Sequence, residues 1–165
     1  MFSSTPEAFT AAVLTVSDSS SAGDREDLSG PAVIEFLSRH KFQIVAKDVV
    51  SDDRTHIENA LLQLSEKAQL VVSTGGTGVA PRDVTPEATR AVCERMVEGI
   101  PERMRSEGAK TTPFAVLSRG VCGLRGTCLI LNLPGSPKGA VASLEAVIEI
   151  LPHALQLLNG NTKHS

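Results

Sequence analysis

The run Leu70-Val71-Val72-Ser73 continues without a break into Thr74-Gly75-Gly76-Thr77-Gly78, and this junction constrains the fold more than any other stretch of the chain. A short apolar run with β-branched residues, stopped by glycines, reads as a strand buried on both faces. Strands of that kind belong to parallel sheets covered by helices. Residues 11–16, ending in Ser17-Asp18, and residues 128–133, ending in Pro134-Gly135-Ser136, read the same way. Residues 42–50 and 114–117 are predicted as two further strands.

Helical patterns fill the intervals. Ser29-Gly30-Pro31 opens a first helix with Val33, Phe36 and Leu37 on its apolar face. Asp52 or Asp53 caps a second, in which Ile57, Ala60, Leu61 and Leu64 form one stripe. Thr85 is predicted as the N-cap of a third, with Pro86 at its first position. Residues 94–110 are helical in composition but interrupted at Gly99 and Pro101, which predicts broken helices. Ser136-Pro137 opens a last helix with Val141, Leu144, Ile148, Leu151 and Leu155 on one face, bent at Pro152. Strands alternating with helices predict a three-layer α/β domain, its mostly parallel central sheet flanked by helices. The 165 residues suit one such domain, with an ordered core from about 11 to 158 and frayed polar termini.

A net charge of -3 excludes a general nucleic-acid coat. With no Trp or Tyr and only five Phe, the chain is a poor fit to an aromatic platform for stacking bases. Cys93, Cys122 and Cys128 lack CxxC spacing, and His40, His56, His153 and His164 lack ligand or triad spacing, so zinc and nucleophilic-triad chemistry are both poor fits. The first dozen residues carry no apolar signal-peptide core, and no run approaches the roughly 20 apolar residues of a membrane span. The expectation is a cytoplasmic protein with reduced thiols, with neither nucleic acid nor membrane as partner.

In open parallel sheets, ligands bind beyond the carboxyl ends of the strands. Ser17-Asp18, Thr74 to Gly78 and Pro134-Gly135-Ser136 all follow strands, so they converge on one rim. The glycines let the backbone turn and approach a ligand, and successive N–H groups make an anion-binding concavity. Thr74 and Thr77 add hydroxyls, and the helix start at Ser136 adds further N–H donors. The loop is neither a Walker A motif nor GxGxxG. Asp83, after Arg82, would repel a phosphate unless a cation lay between them. Magnesium suits that place because it binds through one or two carboxylates and substrate phosphates. Asp18, Asp27 and Asp52 could supply more oxygens, although each also reads as a loop or cap carboxylate. Positioning and charge stabilisation, as in phosphoryl-type transfer, fit this set.

Thr74-Gly75-Gly76-Thr77-Gly78, Pro81-Arg82-Asp83-Val84-Thr85-Pro86-Glu87-Ala88-Thr89, Leu117-Ser118-Arg119 and Asn132-Leu133-Pro134-Gly135-Ser136 together resemble the molybdopterin adenylyltransferase family. That family includes the amino-terminal domain of gephyrin and the corresponding domain of the plant molybdenum-cofactor protein. The resemblance runs from about residue 11 to residue 158, in the same order. It implies a mixed sheet, a homotrimer, and transfer of AMP from Mg-ATP to molybdopterin with release of pyrophosphate. It also implies a molybdenum-insertion protein acting downstream. By resemblance, Asp52 and Asp83 are catalytic carboxylates, and Asp27 and Asp52 face the metal. Ser118, Pro134, Gly135 and Ser136 face the pterin substrate. Ser17, Asp18, Thr74, Gly75, Gly76, Thr77 and Gly78 face the nucleotide. Asp53, adjacent to Asp52, is the alternative for the second carboxylate. A relative that binds molybdopterin or a protein partner without adenylylating it, and an unrelated nucleotide hydrolase, are the competing readings. The intact run Arg82 to Pro86 favours the enzyme.

Overall fold

The computed structural model describes residues 7–161. His164 and most of the two terminal tails named above lie outside that range. Six strands form one sheet in the order β2-β1-β3-β6-β5-β4. The strands are β1 (Thr10–Val16), β2 (Gln43–Val50), β3 (Leu70–Thr74), β4 (Arg95–Met96), β5 (Cys122–Arg125) and β6 (Cys128–Leu133). β2, β1, β3 and β6 run parallel, and β5 and β4 add to the far side antiparallel. The sheet is therefore mixed but mostly parallel.

Alternation along the central strands sorts side chains onto two helical layers. Ala11, Val13, Leu70, Val72, Leu129, Leu131 and Leu133 face one core. A single turn, α1 (Asp18–Ser21), follows β1, and this core is closed by α2 (Ser29–Arg39), α5 (Gly99–Ala109), α6 (Pro137–Val147) and α7 (Leu151–Leu158). Ala12, Leu14, Val16, Val71, Cys128 and Ile130 face the other, under α3 (Arg54–Ser65) and α4 (Thr85–Val92). Both faces of β1, β3 and β6 are consequently buried, as the unbroken apolar runs require.

Several elements depart from the sequence expectation. Residues 114–117 do not form a strand. Thr112 accepts a hydrogen bond from the Phe114 N–H at 3.3 Å, and Pro113 then starts a 3-10 turn over Pro113–Leu117. Residues 94–110 divide into the short β4 and a single α5, so Gly99 and Pro101 mark a helix start rather than an interior break. A proline is harmless in a first turn, where its missing N–H has no partner to lose. The last helix is two helices, α6 and α7, bent by 65° with the break just before Pro152. Among the described residues, no single helix is long and apolar enough to cross a membrane.

Candidate active site

The glycine loop leaves the end of β3 and turns at once. Gly75 and Gly76 have φ of +97° and +68°, the left-handed region where a side chain is strained. A Cβ on Gly75 would also run into the Val16 carbonyl at the end of β1. The Gly75 N–H donates to the Leu133 carbonyl at 3.1 Å, so the loop is seated between the ends of β1 and β6. Thr85 does not cap α4 as predicted. Val84 occupies the cap position, and the buried Thr85 hydroxyl donates to the Gly75 carbonyl at 2.9 Å. The Thr85 N–H reaches the Gly76 carbonyl at 3.1 Å. The loop's demand for a partner outcompetes the local cap.

A buried polar chain supports this loop from below. The Asn132 amide nitrogen donates to the Ser73 hydroxyl at 3.0 Å and to the Thr89 hydroxyl at 2.9 Å. Its oxygen accepts the Val121 N–H at 3.1 Å, and the Thr89 hydroxyl passes on to the Thr85 carbonyl at 2.8 Å. No described buried side-chain nitrogen or oxygen lacks a partner. A satisfied network of this kind fixes one geometry, because each alternative would leave a polar group unpaired. Its visible trace in the sequence is a lone Asn within an otherwise apolar strand.

Two carboxylates tie the ends of β1 and β2 together. The Asp18 N–H donates to Asp52 Oδ2 at 2.9 Å, and the Asp52 N–H donates back to Asp18 Oδ1 at 2.9 Å. Arg82 then grips Asp18 with both Nε, at 2.6 Å, and Nη2, at 2.8 Å. That grip, helped by the Asp52 N–H, holds the Asp18 carboxyl below its usual range. Asp52 moves the other way. Partial burial raises its pKa, with the Asp18 and Asp83 charges adding to the effect, against the lowering influence of the Asp18 N–H. Asp53 is turned to a different task, capping α3 by accepting the His56 N–H at 3.0 Å. The structure thus puts Asp52 on the cavity wall and leaves Asp53 on the helix.

Asp27 is held from within the fold. Its Oδ2 accepts the Thr15 hydroxyl at 2.7 Å, and its Oδ1 accepts the Gly30 N–H at 3.0 Å. Ser29 lies beside it and hydrogen-bonds to Thr74 at 2.9 Å. Asp83 accepts the Ala80 N–H at 3.0 Å. Among the described residues, no group of three or more His, Cys, Asp or Glu side chains converges on a preformed metal cage. Hard carboxylate oxygens of Asp27, Asp52 and Asp83 nevertheless line one cleft. That donor set suits magnesium arriving on phosphates, which needs few protein ligands.

Two cavities meet at the loop. The smaller, about 430 Å³, takes in Ser17, Asp27, Asp52, Thr74 and Gly75. The larger, about 1220 Å³, takes in Thr77, Gly78, Ser118, Pro134 and Lys138. Gly76, Asp83, Gly135 and Ser136 line both. The resemblance assigns Thr77 and Gly78 to the nucleotide, yet they open toward the larger cavity. Asp18 lines neither and stands behind the rim, paired with Arg82. Ser17 and Ser136 each cap the helix they precede, accepting from Ser20 N at 3.2 Å and from Gly139 N at 3.0 Å. Arg103, Arg105 and Phe114 also line the larger cavity, and no sequence pattern marked them.

Fold and site together define an α/β domain with a glycine loop and two cavities sharing one wall at the carboxyl edge of its parallel strands. Residues 12–153 match the family described as "Probable molybdopterin binding domain", and the chain belongs to that family. A molybdopterin adenylyltransferase of Helicobacter pylori is 45% identical over 153 residues, covering 90% of this chain and 87% of that protein. Gephyrin of Dictyostelium discoideum is 37% identical over 93% of this chain, which corresponds to 23% of gephyrin. The crystal structure of the molybdopterin biosynthesis enzyme MoaB from Thermus thermophilus superposes with a TM-score of 0.87. It is 49% identical and covers 92% of this chain and 97% of its own.

Proposed function

We propose that this protein is a molybdopterin adenylyltransferase of molybdenum cofactor biosynthesis, transferring AMP from Mg-ATP to molybdopterin. The carrying observation is the position of Asp83, with Gly76, Gly135 and Ser136, on the wall common to both cavities. A reaction between two bound substrates needs such a junction. The smaller, carboxylate-lined cavity takes the nucleotide, and the larger, bordered by Ser118, takes the pterin. The terminal phosphate oxygen of molybdopterin attacks the α-phosphorus, a new P–O bond forms, and the bond to the β-phosphate breaks to release pyrophosphate. Asp27 and Asp52 would hold magnesium, which supplies shielding of the phosphate charge when bound with ATP. The N–H groups of the glycine loop and of the α6 start receive the phosphates. Asp83 stands at the crossing point and orients the reacting groups, and bringing the two substrates together there supplies much of the acceleration.

The same reading takes the chain as one cytoplasmic domain that works as a homotrimer and passes its product to a molybdenum-insertion protein. Phe114, Val116 and Leu117, exposed on the 3-10 turn, favour a covering partner copy. The test compares the wild type with Asp83→Asn on molybdopterin and Mg-ATP, following adenylylated product and pyrophosphate. Loss of one charge-handling group at the reacting centre costs about 3 kcal/mol, or about 100-fold in rate. Equal transfer by the variant removes Asp83 from the mechanism. No transfer by the wild type with active substrate removes the function, and pyrophosphate release without pterin makes the protein a hydrolase.

A further inference from the structure

One side chain outside the carboxylate set holds the loop that carries Asp83. Arg119 follows Ser118, which lines the larger cavity, and reaches across to the glycine loop and the start of α4. Its backbone N–H donates to the Thr77 carbonyl at 2.7 Å. Its Nε donates to the Gly78 carbonyl at 2.7 Å and its Nη2 to the Asp83 carbonyl at 2.6 Å. Its Nη1 pairs with Glu87 at 2.6 Å and 3.3 Å. One planar fork therefore closes both ends of the segment from Gly78 to Asp83. Inside that segment the Asp83 N–H donates to the Ala80 carbonyl at 2.9 Å, and the Ala80 N–H returns to the Asp83 carboxylate. The turn holds its own shape, but Arg119 sets where it sits.

We propose that Arg119 is a positioning residue that places Asp83 between the two cavities and links that placement to the Ser118 wall. The proposal rests on adenylyl transfer as the reaction. Charge-assisted bonds to carbonyls and carboxylate are the strong ones, and a guanidinium offers the fixed geometry to make three at once. A lysine has the charge but a single nitrogen, so it cannot span the Gly78 and Asp83 carbonyls and Glu87 together. Glu87, in the first turn of α4, fixes the fork's third corner. Because Ser118 and Arg119 are consecutive, a ligand pressing on Ser118 acts on the same backbone that orients the fork.

The test uses the full-length protein as Arg119→Lys and Arg119→Ala. Displacing a reacting group by about 1 Å costs about 100-fold in rate, so kcat is expected to fall by that order in Arg119→Ala. Affinity for Mg-ATP, measured by calorimetry, is expected to stay within about threefold. Methylguanidinium added to Arg119→Ala should restore turnover, whereas urea, equally planar but uncharged, should not. Arg119→Lys guards against a variant that fails to fold. Its kcat should fall while its melting temperature stays near the wild type's. A readout independent of turnover is amide hydrogen exchange in residues 77–83, expected to quicken in Arg119→Lys. Wild-type kcat in Arg119→Lys, or unchanged exchange in that segment, overturns the proposal. If the wild type itself transfers no AMP, the functional reading fails instead, and the exchange result still decides whether Arg119 holds the loop.

Discussion

Asn132→Leu tests whether the polar chain beneath the glycine loop is what fixes it. Leucine keeps the branched heavy-atom skeleton of asparagine with somewhat bulkier methyl ends, so the shape of the side chain on β6 is largely kept while the hydrogen bonds vanish. The Val121 N–H and the Ser73 hydroxyl then lose the partners seen here. Thr89 keeps its bond to the Thr85 carbonyl and suffers less. Each of the two orphaned groups sits in the dry interior and costs about 1–3 kcal/mol, so the sum is about 4 kcal/mol. Against a typical total of roughly 5–15 kcal/mol that loss is large but survivable. For a chain of this size it lowers the melting temperature by about 10 °C. Urea unfolding followed by circular dichroism measures it, with a lower midpoint and an unchanged slope. The double variant Ser73→Ala with Asn132→Leu should be less damaged than the sum of the singles by about 1 kcal/mol, since Ser73 no longer has a hydroxyl to strand. A loss below about 1 kcal/mol for Asn132→Leu would mean the groups find other partners, and the network argument would be wrong.

Asp52→Asn should lower AMP transfer yet raise thermal stability at neutral pH. The Asp52 pKa is higher in the folded protein than in the unfolded chain, so the folded state binds the extra proton. Its contribution to stability is therefore fully present at acidic pH and is lost as pH rises through the folded value. Melting curves from acidic to neutral pH should converge at the acidic end and separate at the neutral end, and a variant less stable than wild type at neutral pH would refute this. Gly75→Ala combines a left-handed backbone with a collision against Val16, and should cost about 2 kcal/mol or more by urea unfolding. A neutral effect there would show that the loop can relax away from β1.

The central strands were legible because burial on both faces leaves an unmistakable run of apolar residues, as in Leu70 to Val72. β4 and β5 were not, since a two-residue and a four-residue strand carry too few positions to show a period. Residues 114–117 misled for the opposite reason. Their apolar side chains suggest burial, yet Phe114 is 74% exposed, and Pro113 with the Thr112 cap dictates a turn. Within the site, Asp52 and Asp83 could be named from sequence but not oriented. Only the clasp with Asp18 separates Asp52 from Asp53. Arg119 and Asn132 stood inside quoted motifs, but their work depends on partners up to 59 positions away, which no local pattern encodes.

The sheet order also dictates when the site can exist during synthesis. β6 lies between β3 and β5 in space but comes last of the strands in the chain. The anchor for the Gly75 N–H is the carbonyl of Leu133, the final residue of β6. Until that residue has left the ribosome, one side of β3 has no neighbour and the loop lacks the β6 side of its seat. The growing chain thus carries an open central strand while the residues between β3 and β6 are made, and closing it joins segments roughly sixty residues apart, a slow step in non-local topologies. A fragment that ends between Gly78 and Leu133 keeps every glycine of the loop and lacks the β6 carbonyl that holds it.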